Sequence, residues 1–100
     1  KVTAVVGMMQ DKNIDDVFRL TLPYCKHIVT VAVDNMPRSA TADDLLQKAK
    51  AFCSAEMAEN YRDAILKAAK QAGDDPIFVF GSLYFAAGMR PVLQEILKKI

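Results

Sequence analysis

Pro76-Ile77-Phe78-Val79-Phe80-Gly81-Ser82-Leu83-Tyr84-Phe85 is the stretch from which the architecture can be worked out. A short β-branched and aromatic run ends at Gly81, and an apolar-periodic segment opens at Ser82. This pattern reads as a buried strand turning sharply into a helix. Gly81 has no Cβ to obstruct a tight turn, and Ser82 is suited to cap the helix by accepting from an orphan N–H. The remaining free N–H groups and the positive dipole end then face the space beyond the strand. Such a place favours an anion, carboxylate or phosphate.

Working outward, Asp74-Asp75-Pro76 leads into this strand, and before it lies the most regular helix pattern of the chain. Asn60 caps it, Tyr61, Ala64, Ile65, Ala68, Ala69 and Ala72 recur at three-four spacing, and Gly73 stops it. Two further runs, Val2 to Met8 and His27 to Val33, are apolar without alternation, as expected of parallel strands buried on both faces. Between them, Ile14, Val17, Phe18, Thr21 and Leu22 predict a helix capped by Asn13, with Asp15 and Asp16 in its first turn and Pro23 ending it. After the second run, Thr41 caps a helix with Asp44 at its third position and an apolar stripe of Leu45, Leu46, Ala49, Phe52 and Cys53. Residues Ser54 to Glu59 fit either a loop or a very short edge strand. Downstream of Phe85, Gly88 and Pro91 are expected to break the helix, with Pro91 opening a new turn ahead of a closing amphipathic helix of Leu93, Ile96, Leu97 and Ile100 that turns Lys98 and Lys99 outward.

The order β-α-β-α-(short)-α-β-α predicts an α/β fold: a Rossmann-like, mostly parallel sheet with helices on both faces. Three clear strands are few for such a sheet, and a first strand and helix are expected upstream of Lys1. The 100 residues constitute one domain or part of one. Hydrophobic residues at 52% and charged residues at 25% suit a globular core. A net charge of +1 without a basic stripe argues against a nucleic-acid partner. No apolar run approaches the roughly 20 residues that span a bilayer, so no membrane partner is expected. Cys25 and Cys53 are far apart in sequence and, with one histidine, make no zinc site; they read as reduced thiols of a cytoplasmic protein.

Ligands of open α/β sheets bind beyond the carboxyl ends of the strands. The first exit supplies Asp11 and Lys12, the second Asp34, Asn35 and Arg38, and the third the helix start at Gly81-Ser82. Two cations and a helix N-terminus at one edge suit an anionic ligand. Each also has a plainer reading: Lys12 and Arg38 as solvated loop residues, Gly81-Ser82 as a capped helix start. His27 reads as structural, and Met8, Met9 and Met36 as packing. The chain contains no G-x-x-x-x-G-K-[ST] phosphate loop, no G-x-G-x-x-G and no Ser/His/Asp set.

Val6-Gly7-Met8 with Asp11-Lys12-Asn13, then Pro37-Arg38-Ser39-Ala40, then Ala64 to Ala69, then Phe80-Gly81-Ser82-Leu83-Tyr84-Phe85 resemble, in order, the carboxyl-terminal domain of folylpolyglutamate synthase and its bifunctional dihydrofolate synthase relative, members of the Mur ligase superfamily. In that family one strand ends in a G-x-x-x-D-K-D-type loop and a later one in G-S-L-Y; here Asn13 replaces the last acidic residue. The resemblance implies that residues 1–100 are a partial Mur ligase-type carboxyl-terminal domain of an ATP-dependent amide ligase that adds glutamate to folate through an acyl phosphate. It implies further that ATP and magnesium are held mainly in an amino-terminal domain outside this chain, that a D-G-A-H-N-P segment precedes Lys1, and that the chain alone is not catalytic. Ser82 matches the G-S position and is assigned to the glutamate. Lys12 and Arg38, chosen on geometry, would face the glutamate carboxylates, and Asp11 would orient Lys12 or meet the ammonium. Asp34-Asn35-Met36-Pro37-Arg38 also resembles the D-N-P-R motif of muramyl peptide ligases with one residue inserted, which makes such a ligase the first alternative. A non-catalytic α/β binding module is the second.

Overall fold

β1 (Val2–Gly7) is an inner strand of a four-stranded, wholly parallel sheet. It pairs with β2 (Cys25–Thr30) on one side and β4 (Ile77–Gly81) on the other, and β3 (Ser54–Met57) lies outside β2, so the order is β3-β2-β1-β4. The structure, a computed structural model, describes residues 1–10 and 13–98, without the side chains of Leu83, Tyr84, Leu97 and Lys98. The expected Rossmann-like α/β layout is the one observed. The ambiguous segment after Cys53 forms the short edge strand β3, in register with β2 through His27 opposite Ser54.

Two helices, α1 (Ile14–Thr21) and α2 (Ala42–Ala49), cover one face. Ile14, Phe18, Leu45 and Ala49 pack there on Ala4, Val6, Met8 and Ile28. The other face is covered by α3 (Tyr61–Ala72) and α4 (Leu83–Lys98), whose Tyr61, Ala64, Ile65, Ala68, Phe85 and Met89 pack on Val5, Val29, Val31 and Val33. The two faces follow from the path of the chain. Steps from β1 to β2 and from β2 to β3 run in one direction across the sheet, and the step from β3 to β4 runs back past β1. Crossovers of a single hand must then lie on opposite faces.

The caps expected from the sequence are formed. The side chains of Asn13, Thr41 and Asn60 accept from the N–H groups of Asp16, Asp44 and Asp63. Pro23 ends α1 in a short 3₁₀ turn, Leu22–Tyr24. Four expectations are corrected. β4, read as a buried strand, lies at the edge of the described sheet, so none of its residues is fully buried and Phe78 is exposed. Helix α2 ends at Ala49, so Phe52 and Cys53 fall outside its apolar stripe and Phe52 is exposed. The β2 ladder stops at Thr30, short of Val33, because its partner β3 ends at Met57; Val31 and Val33 nevertheless stay buried, and the Val31 N–H still donates to the Val6 carbonyl at 3.0 Å. Gly88 and Pro91 do not break the last helix, which runs without interruption from Leu83 to Lys98; Lys99 and Ile100, expected at its end, lie outside the described residues. Pro91 cannot donate to the carbonyl of Ala87, but both residues are exposed, so water can satisfy that carbonyl. Gly88 has a packing reason: a Cβ there would lie 2.9 Å from the Tyr61 ring.

One region of the sheet lacks a cover. On the α1 side of β4, an apolar hollow of about 400 Å³ is lined by Val2, Ala4, Leu20, Tyr24, Phe78 and Phe80 among others. Tyr24 is 73% exposed and Phe78 55% exposed at its margin. Among the described residues no helix is long and apolar enough to cross a membrane.

Candidate functional site at the carboxyl rim

Because every strand is parallel, all the carboxyl ends lie along one edge. β1 and β4 end there side by side, with Gly7 in register with Gly81. The chain reverses its course across the sheet at this point, where open α/β folds form their ligand crevice. Gly81 has φ +138, a left-handed value, and a Cβ on it would lie 1.9 Å from the Gly7 carbonyl oxygen. Only glycine fits that conformation and that approach. The Ser82 N–H donates to the same Gly7 oxygen at 3.1 Å. The Phe85 ring lies so close over Gly7 that a Cβ there would be 2.6 Å from it. Ser82 is 2% exposed, and its Oγ accepts from the Phe85 N–H at 3.0 Å. Its hydroxyl therefore caps α4 through the Phe85 N–H, as the sequence suggested, and leaves the N–H groups of Leu83 and Tyr84 without intrahelical acceptors.

On the other side of β1, the loop after β2 folds back onto the β1 exit. The Ala40 N–H donates to the Met8 carbonyl at 2.8 Å, the Gln10 N–H to the Arg38 carbonyl at 2.7 Å, and Met9 and Ser39 form an isolated antiparallel bridge. Ser39 ties the loop internally: its Oγ accepts from the Val33 N–H and donates to the Ala40 carbonyl, both at 2.8 Å. Asn35 sits at φ 61, in the left-handed region that asparagine tolerates better than most residues. Arg38 is exposed at the tip and makes no ion pair with any described residue. Its backbone is thus fixed while its guanidinium stays in water.

The rim therefore collects Arg38, Gln10 and the Ser82 helix start around the end of β1. Asp11 and Lys12 lie outside the described residues, in the chain that follows Gln10. Pattern reading missed one residue here. Tyr61, which reads as one more apolar position of α3, is only 5% exposed, and its Oη accepts from the Asp34 N–H at 2.8 Å. Its ring meets Phe85 edge-on, with centroids 5.3 Å apart and planes at 85°. The available signal was an aromatic side chain with a polar tip at a helix start. Burial pushes the Tyr61 phenol above its ordinary value, keeping it neutral.

Two other groups of reactive side chains lie elsewhere. His27 is buried, with Nδ1 2.9 Å from Ser54 Oγ and Nε2 2.7 Å from Glu56 Oε2. This cross-strand tie between β2 and β3 sits toward the amino half of the sheet and agrees with the structural reading of the histidine. Cys25 and Cys53 are free thiols, and burial raises both above their ordinary range, which makes them poor nucleophiles.

The arrangement can be set beside known proteins. No family model and no curated protein sequence matches the chain. Among solved structures, folylpolyglutamate synthase of Mycobacterium tuberculosis complexed with ADP superposes with a TM-score of 0.79 at 21% identity, over 91% of this chain and 23% of that one. The same enzyme complexed with ADP and AMPPCP gives a TM-score of 0.75 at 24% identity, over 92% of this chain and 23% of that one. This chain has the fold of folylpolyglutamate synthase over that span. The expected resemblance is thus met at the level of fold, by a chain that spans about a quarter of the length of the solved enzyme.

Proposed function

We propose that residues 1–100 are part of the carboxyl-terminal domain of a Mur ligase-type folylpolyglutamate synthase, and that the carboxyl rim receives glutamate. In the whole cytoplasmic enzyme, glutamate would be joined to folate in an ATP-dependent amide-forming reaction, and the same machinery would serve a dihydrofolate synthase activity. The observation that carries the reading is Arg38: an exposed cation with no ion-pair partner among the described residues, on a backbone pinned to the β1 exit. Its planar fork suits a carboxylate held by two parallel hydrogen bonds. Lys12 would meet the second carboxylate and Asp11 the ammonium. Ser82 would act through the helix start it caps.

ATP and magnesium would be held mainly by the amino-terminal domain. This chain has no phosphate loop, and no three His, Cys, Asp or Glu side chains gather among its described residues. No step involving them is assigned to these residues. The partial character of the domain is supported by the hollow beside β4. A strand added outside β4 and connected to β1 would step in the same direction as β1 to β2. A right-handed crossover would then lay its helix on the α1 face, where the hollow is.

In a full-length polypeptide carrying this chain, Arg38→Glu should raise the KM for glutamate about tenfold or more, with ATP affinity and melting temperature unchanged. A glutamate KM that stays where it was would overturn the reading. The Asp34-Asn35-Met36-Pro37-Arg38 loop keeps the muramyl peptide ligase as the second reading, since the same arginine could take the carboxylate of a cell-wall amino acid. Turnover with glutamate against such amino acids separates the two.

A further inference from the structure

The two exits that flank β1 are joined by a direct physical link. Ser82 holds the Phe85 N–H, the Phe85 ring lies over Gly7 and meets Tyr61 edge-on, and Tyr61 Oη holds the Asp34 N–H. All three side chains are at most 5% exposed. The backbone of Tyr61 is itself fixed. It is the first residue of α3, between the Asn60 cap, which accepts from the Asp63 N–H at 2.8 Å, and the Asp63 carboxylate, which accepts from the Glu59 N–H at 3.0 Å. Gly88 of α4 leaves room for the ring. A buried phenol aimed at a loop amide is a costly arrangement unless the bond is made. Here the bond falls on Asp34, at the start of the loop whose tip is Arg38.

We propose that Tyr61 is a positioning residue for the rim: it ties the loop after β2 to the start of α4, so that Arg38 is presented to an anionic ligand in one geometry. The inference rests on the reading of Arg38 given above and adds what holds it in place. Tyr61 touches no ligand in this role. It acts through the Asp34 amide on one side and the Phe85 ring on the other, and removing either contact loosens the loop without unfolding the sheet. Loosening costs affinity because the loop must then be ordered on binding.

The test uses Tyr61→Phe, which keeps the ring and its edge contact and removes only the acceptor. Hydrogen exchange of the full-length polypeptide should show the Asp34 amide exchanging about fivefold faster, with the β1 amides unaltered. In the full-length polypeptide the glutamate KM should rise about fivefold, with kcat and ATP affinity little changed. Tyr61→Leu, which loses the edge contact as well, should raise the KM further. A protected Asp34 amide in Tyr61→Phe would overturn the proposal. So would a lowered melting temperature with an unchanged KM, since that is what a purely structural tyrosine gives. Arg38→Glu separates the two levels of the argument. If it raises the glutamate KM and Tyr61→Phe does not, the positioning role falls and the glutamate rim stands. If Arg38→Glu has no effect, both fall, whatever the exchange rate at Asp34.

Discussion

The two exits beside β1 are built by opposite means. At the β4 exit the packing is close and uncharged: Gly7 and Gly81 in tight contact with the Ser82 N–H on the Gly7 carbonyl, the Phe85 ring over Gly7, and a serine turned inward to cap. At the β2 exit the loop is held by hydrogen bonds with Ser39, Tyr61, Met8 and Gln10, and its charged side chains Asp34 and Arg38 are exposed. Close packing fixes position but excludes charge, since an unpaired ion costs far more to bury than a rim can recover. A hydrogen-bonded loop fixes the backbone and leaves a guanidinium exposed. A site for an anionic ligand needs both, a wall that does not move and a cation that stays hydrated until the ligand arrives.

This contrast can be broken from either side. Gly81→Ala should have the largest effect, about 3–5 kcal/mol or more of lost stability, because it adds a Cβ against the Gly7 carbonyl in a left-handed backbone. Urea unfolding measures it, and a loss under about 1 kcal/mol would mean that the exit is not the rigid wall described. Ser39→Ala removes the acceptor of the Val33 N–H and should cost about 1 kcal/mol, with faster amide exchange confined to the loop after β2. Spread of that exchange into β4 would erase the distinction between the two exits. The smallest effect is an acid one. The Glu59 N–H and Lys67 hold the Asp63 carboxyl below the ordinary 3.8, so its contribution is present above that value and is lost as the pH falls through the lower folded value. The change should be slight and salt-sensitive at a group only half-buried, and Asp63→Asn should flatten it in a pH series of melting curves.

Much of this was legible in the chain itself. Helix α3 could be read residue for residue, because Asn60, the three-four spacing and Gly73 all agree. The strand-to-helix turn at Gly81-Ser82 was equally plain, since glycine and a capping serine leave few other readings. Helix α4 was misread at Pro91 because a local rule for proline met a site where the lost hydrogen bond faces water. The placing of β4 beside β1, with β2 on its other side, has no local signal at all. It comes from the tertiary pairing of Gly7 with Gly81. The role of Tyr61 was hidden for the same reason: its hydrogen bond crosses 27 positions of sequence to Asp34.

The outer margins of the sheet differ as well. On β3, Glu56 and the Lys67 ammonium donating to the Met57 carbonyl place charge at the border. On β4, Ile77-Phe78-Val79-Phe80 carries none. A strand border uncharged and, among the described residues, unpaired, next to exposed aromatic rings, is a template for pairing between molecules. Handled by itself at high concentration, this polypeptide is therefore prone to aggregate through β4 first, and a lysine placed at Phe78 is the natural gatekeeper against it.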